Sequence, residues 1–478
     1  MKSTYERGLK QSLDWTLVIC YLLLVFIGWL NIYASVHSTE TGTLFDFDYR
    51  SGKQFVWILT SIVLAILILF VFNPRLWEVI SWPTYLITLV LLVAVIFLGV
   101  EVKGSRSWFD LGPVRFQPAE VSKIATALML ATVMSQGSYR ISKAKDFIIT
   151  AIILGLPMLI ILAEKETGSA LVYMGFVFML YREGLTGWIL GLVGLVILLF
   201  ILTLTASPFV AVLVLIAVVS FCYSLEYGHA RRWVFTDGLF ILAMAFLPKI
   251  WTAAGWSLTE KVTPTIALVG ICLLALPFQL VHAFNKKKNF LYAAIAAFIM
   301  GIGLIASTNF IFNNVLQDHQ RKRIEVLLGM KEDPAGVGYN VNQSMIAIGS
   351  GGLAGKGYLQ GTQTTYGFVP EQSTDFIFCT VGEEWGFIGC TIVVLLYVIM
   401  IFKIIQDAEQ SREAFTRIYG YCVASLIFMH LFINIGMTIG LMPVIGIPLP
   451  FISYGGSSLW AFTILLFIFI RLDYEGRK

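Results

Sequence analysis

Charge is scarce in this chain. Asp, Glu, Lys and Arg make up 13% of its 478 residues against 58% hydrophobic, too few polar groups to coat a soluble globule of that length. Histidine is rarer still. The five (His37, His229, His282, His319, His430) are scattered, which argues against a histidine metal centre. The six cysteines lie in or beside apolar runs without a CxxC pair, so they read as small packing residues rather than a disulfide framework. No Walker A motif, Rossmann fingerprint or GxSxG is present. ATP-driven transport and serine hydrolysis therefore lack support. No basic stripe or zinc spacing points to nucleic acid, and no organic cofactor is expected.

Long apolar runs fill the space that charge leaves. Fourteen are candidate membrane spans: 15–34, 55–73, 79–100, 119–135, 147–163, 169–181, 185–205, 208–225, 234–250, 265–281, 290–312, 376–403, 417–439 and 458–470. The chain reads as an all-α polytopic membrane protein, one membrane domain over 1–478. Residues 1–11 are basic and no small-residue cleavage site follows, so the first run reads as an uncleaved span. With the N-terminus inside, the basic loops 139–145, 227–232, 285–289 and 403–417 and the tail 471–478 share the cytoplasmic side. Both termini are then cytoplasmic, and 101–117, 313–375 and 436–457 face out. One cluster breaks the pattern. Arg321, Lys322 and Arg323 fall on the outer side, where an anionic ligand is one reason to keep them.

The stretch 333–389 is organised differently from its surroundings. Glycines crowd it, and aromatic and aliphatic residues punctuate them too closely for a disordered linker. It reads as a folded loop carrying chemistry. Asp333, before Pro334, is either a turn initiator or a working carboxylate. Lys356, between Gly355 and Gly357, can approach a phosphate with little obstruction. Asp375 reads as a helix N-cap, whereas Glu383 and Glu384 lie too deep in the next span for capping. Upstream, Pro118 suits the first turn of a helix, which puts Glu120 and Lys123 on one face inside an apolar span. That pair is a structural ion pair, the polar floor of a cavity, or both. Glu164, Lys165 and Glu166 read as a solvated loop between helices. A divalent ion (Mg or Mn) held by carboxylates and substrate phosphate stays open.

Four stretches, 104–123, 318–350, 351–389 and 434–458, resemble the SEDS family of bacterial cell-wall proteins, and 440–450 is more similar to its rod-shape branch than to its division branch. The resemblance implies a SEDS-type helical bundle of about ten spans, with about four more in a family-atypical insertion at 185–288. It implies a peptidoglycan glycosyltransferase that polymerises lipid II on the outer face of the cytoplasmic membrane during elongation. Implied partners are a class B penicillin-binding protein and the elongation-complex membrane proteins. The family's essential acid falls on Asp333, as base or metal ligand, and its intramembrane pair on Glu120 and Lys123. Substrate and its diphosphate would be met by Arg321, Arg323, Lys356, Gln343, Ser344, Glu371, Thr374 and Asp375. Departures from the family pattern include Ala119, Ser107, Ser373 and the run 164–170. A lipid II flippase and a non-catalytic scaffold for the penicillin-binding partner are the rival readings.

Overall fold

The computed structural model describes residues 13–37, 44–102, 104–110, 112, 115–226, 237–253, 263–286, 289–316, 318–328, 330 and 338–477. Each of the fourteen apolar windows holds helix. Ten helices among the described residues are long and apolar enough to cross a membrane. The chain divides into two compact units, residues 1–185 with 334–478, and residues 186–333.

The first unit opens with α1 (Trp15–Val36), α2 (Arg50–Phe70) and α3 (Arg75–Leu98). Three short strands follow, β1 (Val100–Val102), β2 (Ser105–Asp110) and β3 (Arg115–Phe116), paired antiparallel in that order. The sequence reading expected loop here. Two- to six-residue strands carry too little alternation to announce themselves. Pro118 then starts α4 (Pro118–Met134), with its missing N–H at a position that has no helical partner. Next come α5 (Ala144–Ala163), α6 (Thr167–Tyr173) and α7 (Phe176–Arg182).

After residue 334 the same unit resumes with α15 (Tyr339–Ser350), the single turn α16 (Thr362–Thr365), α17 (Ile377–Gln410), α18 (Ala414–Thr438) and α19 (Gly456–Gly476). Burial separates the roles of these helices. The apolar window of α18 is 78% buried inside the protein and that of α19 67%, whereas that of α5 is 22% buried. α4 is buried along almost its whole length. α4, α18 and α19 thus form the centre, and the helices that are apolar all round face outward. At one end Lys403 on α17 lies 2.9 Å from both Asp14, which caps α1, and Asp407. Arg477 reaches Asp407 at 2.6 Å and Asp473 at 2.7 Å. Charges thereby clasp the ends of α1, α17 and α19.

The second unit holds α8 (Gly187–Thr205), α9 (Pro208–Glu226), α10 (Asp237–Ala245), α11 (Leu247–Ala253), α12 (Pro264–Lys286), α13 (Asn289–Phe310) and α14 (Asp318–Leu327). A π-helical turn, Ile311–Val315, follows α13. Leu199, Phe209, Val212, Leu215, Leu268 and Phe298 are among the residues of its apolar core.

Candidate active site

α17 is broken. Gly386 has φ 65° and ψ −161° inside it, and a break within an apolar span frees backbone groups that must be paired by protein. The glycine-rich segment supplies the partners. Lys356 N–H donates to Glu383 C=O and Gly357 N–H to Glu384 C=O, both at 3.0 Å. Phe387 N–H donates to Gly352 C=O at 2.9 Å and Ile388 N–H to Leu353 C=O at 3.1 Å. This exchange needs two backbones in direct contact. A Cβ on Gly355 would sit 2.1 Å from Glu384 O, and one on Gly386 2.3 Å from Gly355 N. The crowding of glycine at 351–357 follows from that approach.

Side chains lock the same crossing. Glu383, fully buried, accepts from Lys356 Nζ at 2.7 Å and from the amides of Gln363 and Thr364 at 2.8 Å each. Lys356 Nζ also donates to Thr362 Oγ1 at 2.7 Å. The cation singled out for phosphate is therefore paired with a buried carboxylate, while its side chain keeps 26% exposure.

Residues 373–375 are pinned to the segment 446–454. Asn434 Nδ2 donates to Asp375 C=O at 2.8 Å and to Ile447 C=O at 2.7 Å. Ser453 Oγ donates to Thr374 C=O at 2.6 Å, and Tyr454 N–H to Ser373 C=O at 2.9 Å. Arg50 Nη1 donates to Ser373 Oγ at 2.7 Å. Thr374 Oγ1 lies 3.2 Å from exposed Glu371. The N-cap of α17 is Phe376, without a side-chain cap bond. Asp375, read from the sequence as the cap, precedes that position by one residue, and its backbone carbonyl accepts from Asn434. Gln343 is half-buried on α15. Ser344 is fully buried, donating to Thr438 C=O at 2.6 Å.

Glu120 and Lys123 form the ion pair their spacing predicts, at 2.8 Å with 3% exposure each. Lys123 has a second partner that its helical spacing does not reveal. His430 Nε2 lies 2.9 Å from Lys123 Nζ. Its signal was available, since a histidine inside an apolar span is expensive and asks for a partner. Nearby, Gln117 and Ser169 donate to Glu166, and burial raises the pKa of that carboxyl.

Glu164 corrects the expectation of a solvated loop. It is 2% exposed and neither carboxyl oxygen has a hydrogen-bond partner. Burial, then the neighbouring Glu166 charge, push its pKa from 4.5 to about 8. The folded state therefore holds this proton where the unfolded chain has lost it. The contribution of Glu164 to stability is full below about pH 4.5 and falls as pH rises towards about 8. Stability against thermal unfolding in detergent is expected to fall by on the order of 4 kcal/mol between pH 5 and pH 8.5 from this group. Glu164→Gln should flatten that dependence; equal slopes for both proteins would contradict it.

Arg321, on α14 in the second unit, is partly exposed between Asp318 at 3.6 Å and Glu325 at 3.7 Å. Arg323 is half-buried and Lys322 exposed. Asp333 lies outside the described residues. Among the described residues no cluster of three or more His, Cys, Asp or Glu could hold a metal ion.

The family FTSW_RODA_SPOVE, described as cell cycle protein, matches residues 14–214 and 250–478. The chain belongs to that family. Its relatives include the peptidoglycan glycosyltransferase MrdB of Escherichia coli (strain K12), 30% identical over 94% of this chain and 90% of the relative. The peptidoglycan glycosyltransferase RodA of Treponema pallidum (strain Nichols) is 32% identical over 95% of each. Among solved structures, the rod shape determining protein RodA of Thermus thermophilus has a TM-score of 0.55 at 20% identity, covering 98% of both chains. A chain from a peptidoglycan synthase complex, in a study of coordinated polymerization and crosslinking, has a TM-score of 0.59 at 22% identity and the same coverage. The FTSW_RODA_SPOVE fold is thus that of a helical, multi-pass membrane protein, and the unmatched residues 215–249 fall inside the segment read as an insertion.

Proposed function

We propose that this chain is a peptidoglycan glycosyltransferase that polymerises lipid II into glycan strands during cell elongation, releasing undecaprenyl diphosphate. One observation carries the reading: relatives named as peptidoglycan glycosyltransferases align over nine-tenths or more of both chains. In this reading both termini are cytoplasmic, the glycine-rich segment faces out, and a class B penicillin-binding protein cross-links the product.

The chemistry joins an acceptor hydroxyl to an anomeric carbon as the bond to the lipid diphosphate breaks. Asp333 takes the hydroxyl proton, and a general base of this kind contributes about two to four orders of magnitude in rate. Arg321 and Arg323 are the cations assigned to the departing diphosphate. The fixed crossing of residues 351–357 over α17 gives the acceptor and donor lipids a rigid frame to be oriented against. A divalent ion would lend positive charge at the diphosphate.

The test is conversion of purified lipid II by the chain in complex with its penicillin-binding partner. Polymer is expected, and it should persist when a β-lactam blocks the partner's transpeptidase but not in Asp333→Ala. Polymer made equally by the Asp333→Ala complex would favour the scaffold reading. Lipid II crossing vesicles without polymer would favour the flippase.

A further inference from the structure

We propose that His430 is a positioning residue for glycosyl transfer, holding the Lys123 ammonium through a hydrogen bond whose direction the Pro448 carbonyl sets. The proposal deepens the reading above and rests on the Glu120–Lys123 pair serving that reaction.

The imidazole is 1% exposed within α18. Its Nδ1 lies 3.1 Å from Pro448 O and its Nε2 2.9 Å from Lys123 Nζ. A carbonyl oxygen can only accept, so Nδ1 carries the proton. An ammonium can only donate, so Nε2 presents a lone pair. One species meets both demands, the neutral imidazole protonated on Nδ1.

Lys123 is thereby held from three directions. Glu120 Oε1 lies 2.8 Å away, His430 Nε2 2.9 Å, and the ammonium sits 5.2 Å from the Phe462 ring centroid. Phe462 also packs edge-on against the imidazole, with centroids 4.7 Å apart at 85°. Glu120 alone could not fix the ammonium. The two residues share one helix three positions apart, and a flexible lysine stem would let the charge settle across both carboxylate oxygens. With His430 drawing it to one side, Glu120 Oε2 stays without a partner. Two of the three ammonium N–H groups are then used, and one is left to donate. Both residues line a cavity of about 10 Å³ with Ile124, Leu426 and Phe462, room for about one water. The remaining N–H can meet a single water there, so the buried ammonium stays fully hydrogen-bonded in the orientation that Glu120 and His430 impose.

The other end of His430 reaches the segment that Asn434 and Ser453 pin to residues 374 and 375. The imidazole therefore ties the buried pair on α4 to the backbone around Asp375. A histidine that merely filled the core would need no particular tautomer.

Two isosteres separate these cases. His430→Gln keeps an oxygen acceptor near the Nε2 position for Lys123, whereas His430→Asn keeps a donor near Nδ1 for Pro448 but is too short to reach Lys123. Each is measured in the full chain with its penicillin-binding partner, on lipid II, for kcat, KM and thermal midpoint. His430→Asn is expected to lower kcat by on the order of tenfold to a hundredfold with KM little changed, and His430→Gln to recover to within about threefold of the parent. Combining His430→Asn with Lys123→Met should be no slower than Lys123→Met alone, because both remove one interaction. Additive losses, equal slowing by Asn and Gln, or unchanged kcat in His430→Asn would overturn the proposal. Full activity in Lys123→Met would instead overturn the reading of the ion pair itself.

Discussion

Glu383→Ala is expected to cost the protein about 3 kcal/mol of stability or more and to loosen the glycine-rich segment from α17. The carboxylate is fully buried and accepts from Lys356 Nζ and from the amides of Gln363 and Thr364. Removing it leaves an ammonium without its counter-charge and two N–H groups without acceptors, each costly where water does not reach. Lys356 keeps some exposure, so part of its charge can be rehydrated, and the figure stays near the low end for a broken buried pair. A loss of this size is a large share of the stability of an ordinary domain, about 5–15 kcal/mol. Glu383→Gln should fall between the two, since it keeps an acceptor but not the charge. Adding Lys356→Met to Glu383→Gln should return part of the loss by removing the stranded cation. Thermal unfolding in detergent reads all four proteins. A midpoint for Glu383→Ala within a degree of the parent would refute the account.

Asp333→Asn should lower polymer formation by about two to four orders of magnitude, the range a general base supplies. Asparagine has nearly the shape of aspartate but cannot take the acceptor's proton at any working pH. The thermal midpoint of the variant, taken in parallel, separates lost chemistry from lost fold. Asp333→Glu keeps the base but moves it by a methylene, and an intermediate rate is expected. Titration with Mg²⁺ or Mn²⁺ distinguishes the two roles open to this carboxylate. A base leaves the Asn variant slow at every metal concentration, whereas recovery at high metal would assign Asp333 to ion binding.

Much of this architecture was legible before any coordinates. Apolar length alone put helix in each of the fourteen windows, and among the described residues ten of them hold a helix long and apolar enough to cross a bilayer, which takes about 20 residues at about 1.5 Å each. The Glu120–Lys123 pair could also be read, since residues three apart on a helix meet whatever surrounds them. Glycine density marked 351–357 as unusual but not its cause. That lies in the break at Gly386, about thirty residues further along the chain. Likewise nothing local distinguished Glu164 from the solvated acids it resembles; neighbouring helices bury it.

By itself, then, the sequence determined which segments are helical, which charges share a helical face, and the family to which the chain belongs. These depend on period, length and motif, all carried within a few turns of chain. Tertiary structure alone decided the partners: His430 for Lys123 across 307 positions, Glu383 for Lys356 across 27, and the 351–357 backbone for the broken ends of α17. A hydrogen bond is fixed by distance and angle in space, and a linear pattern holds neither until the helices have packed.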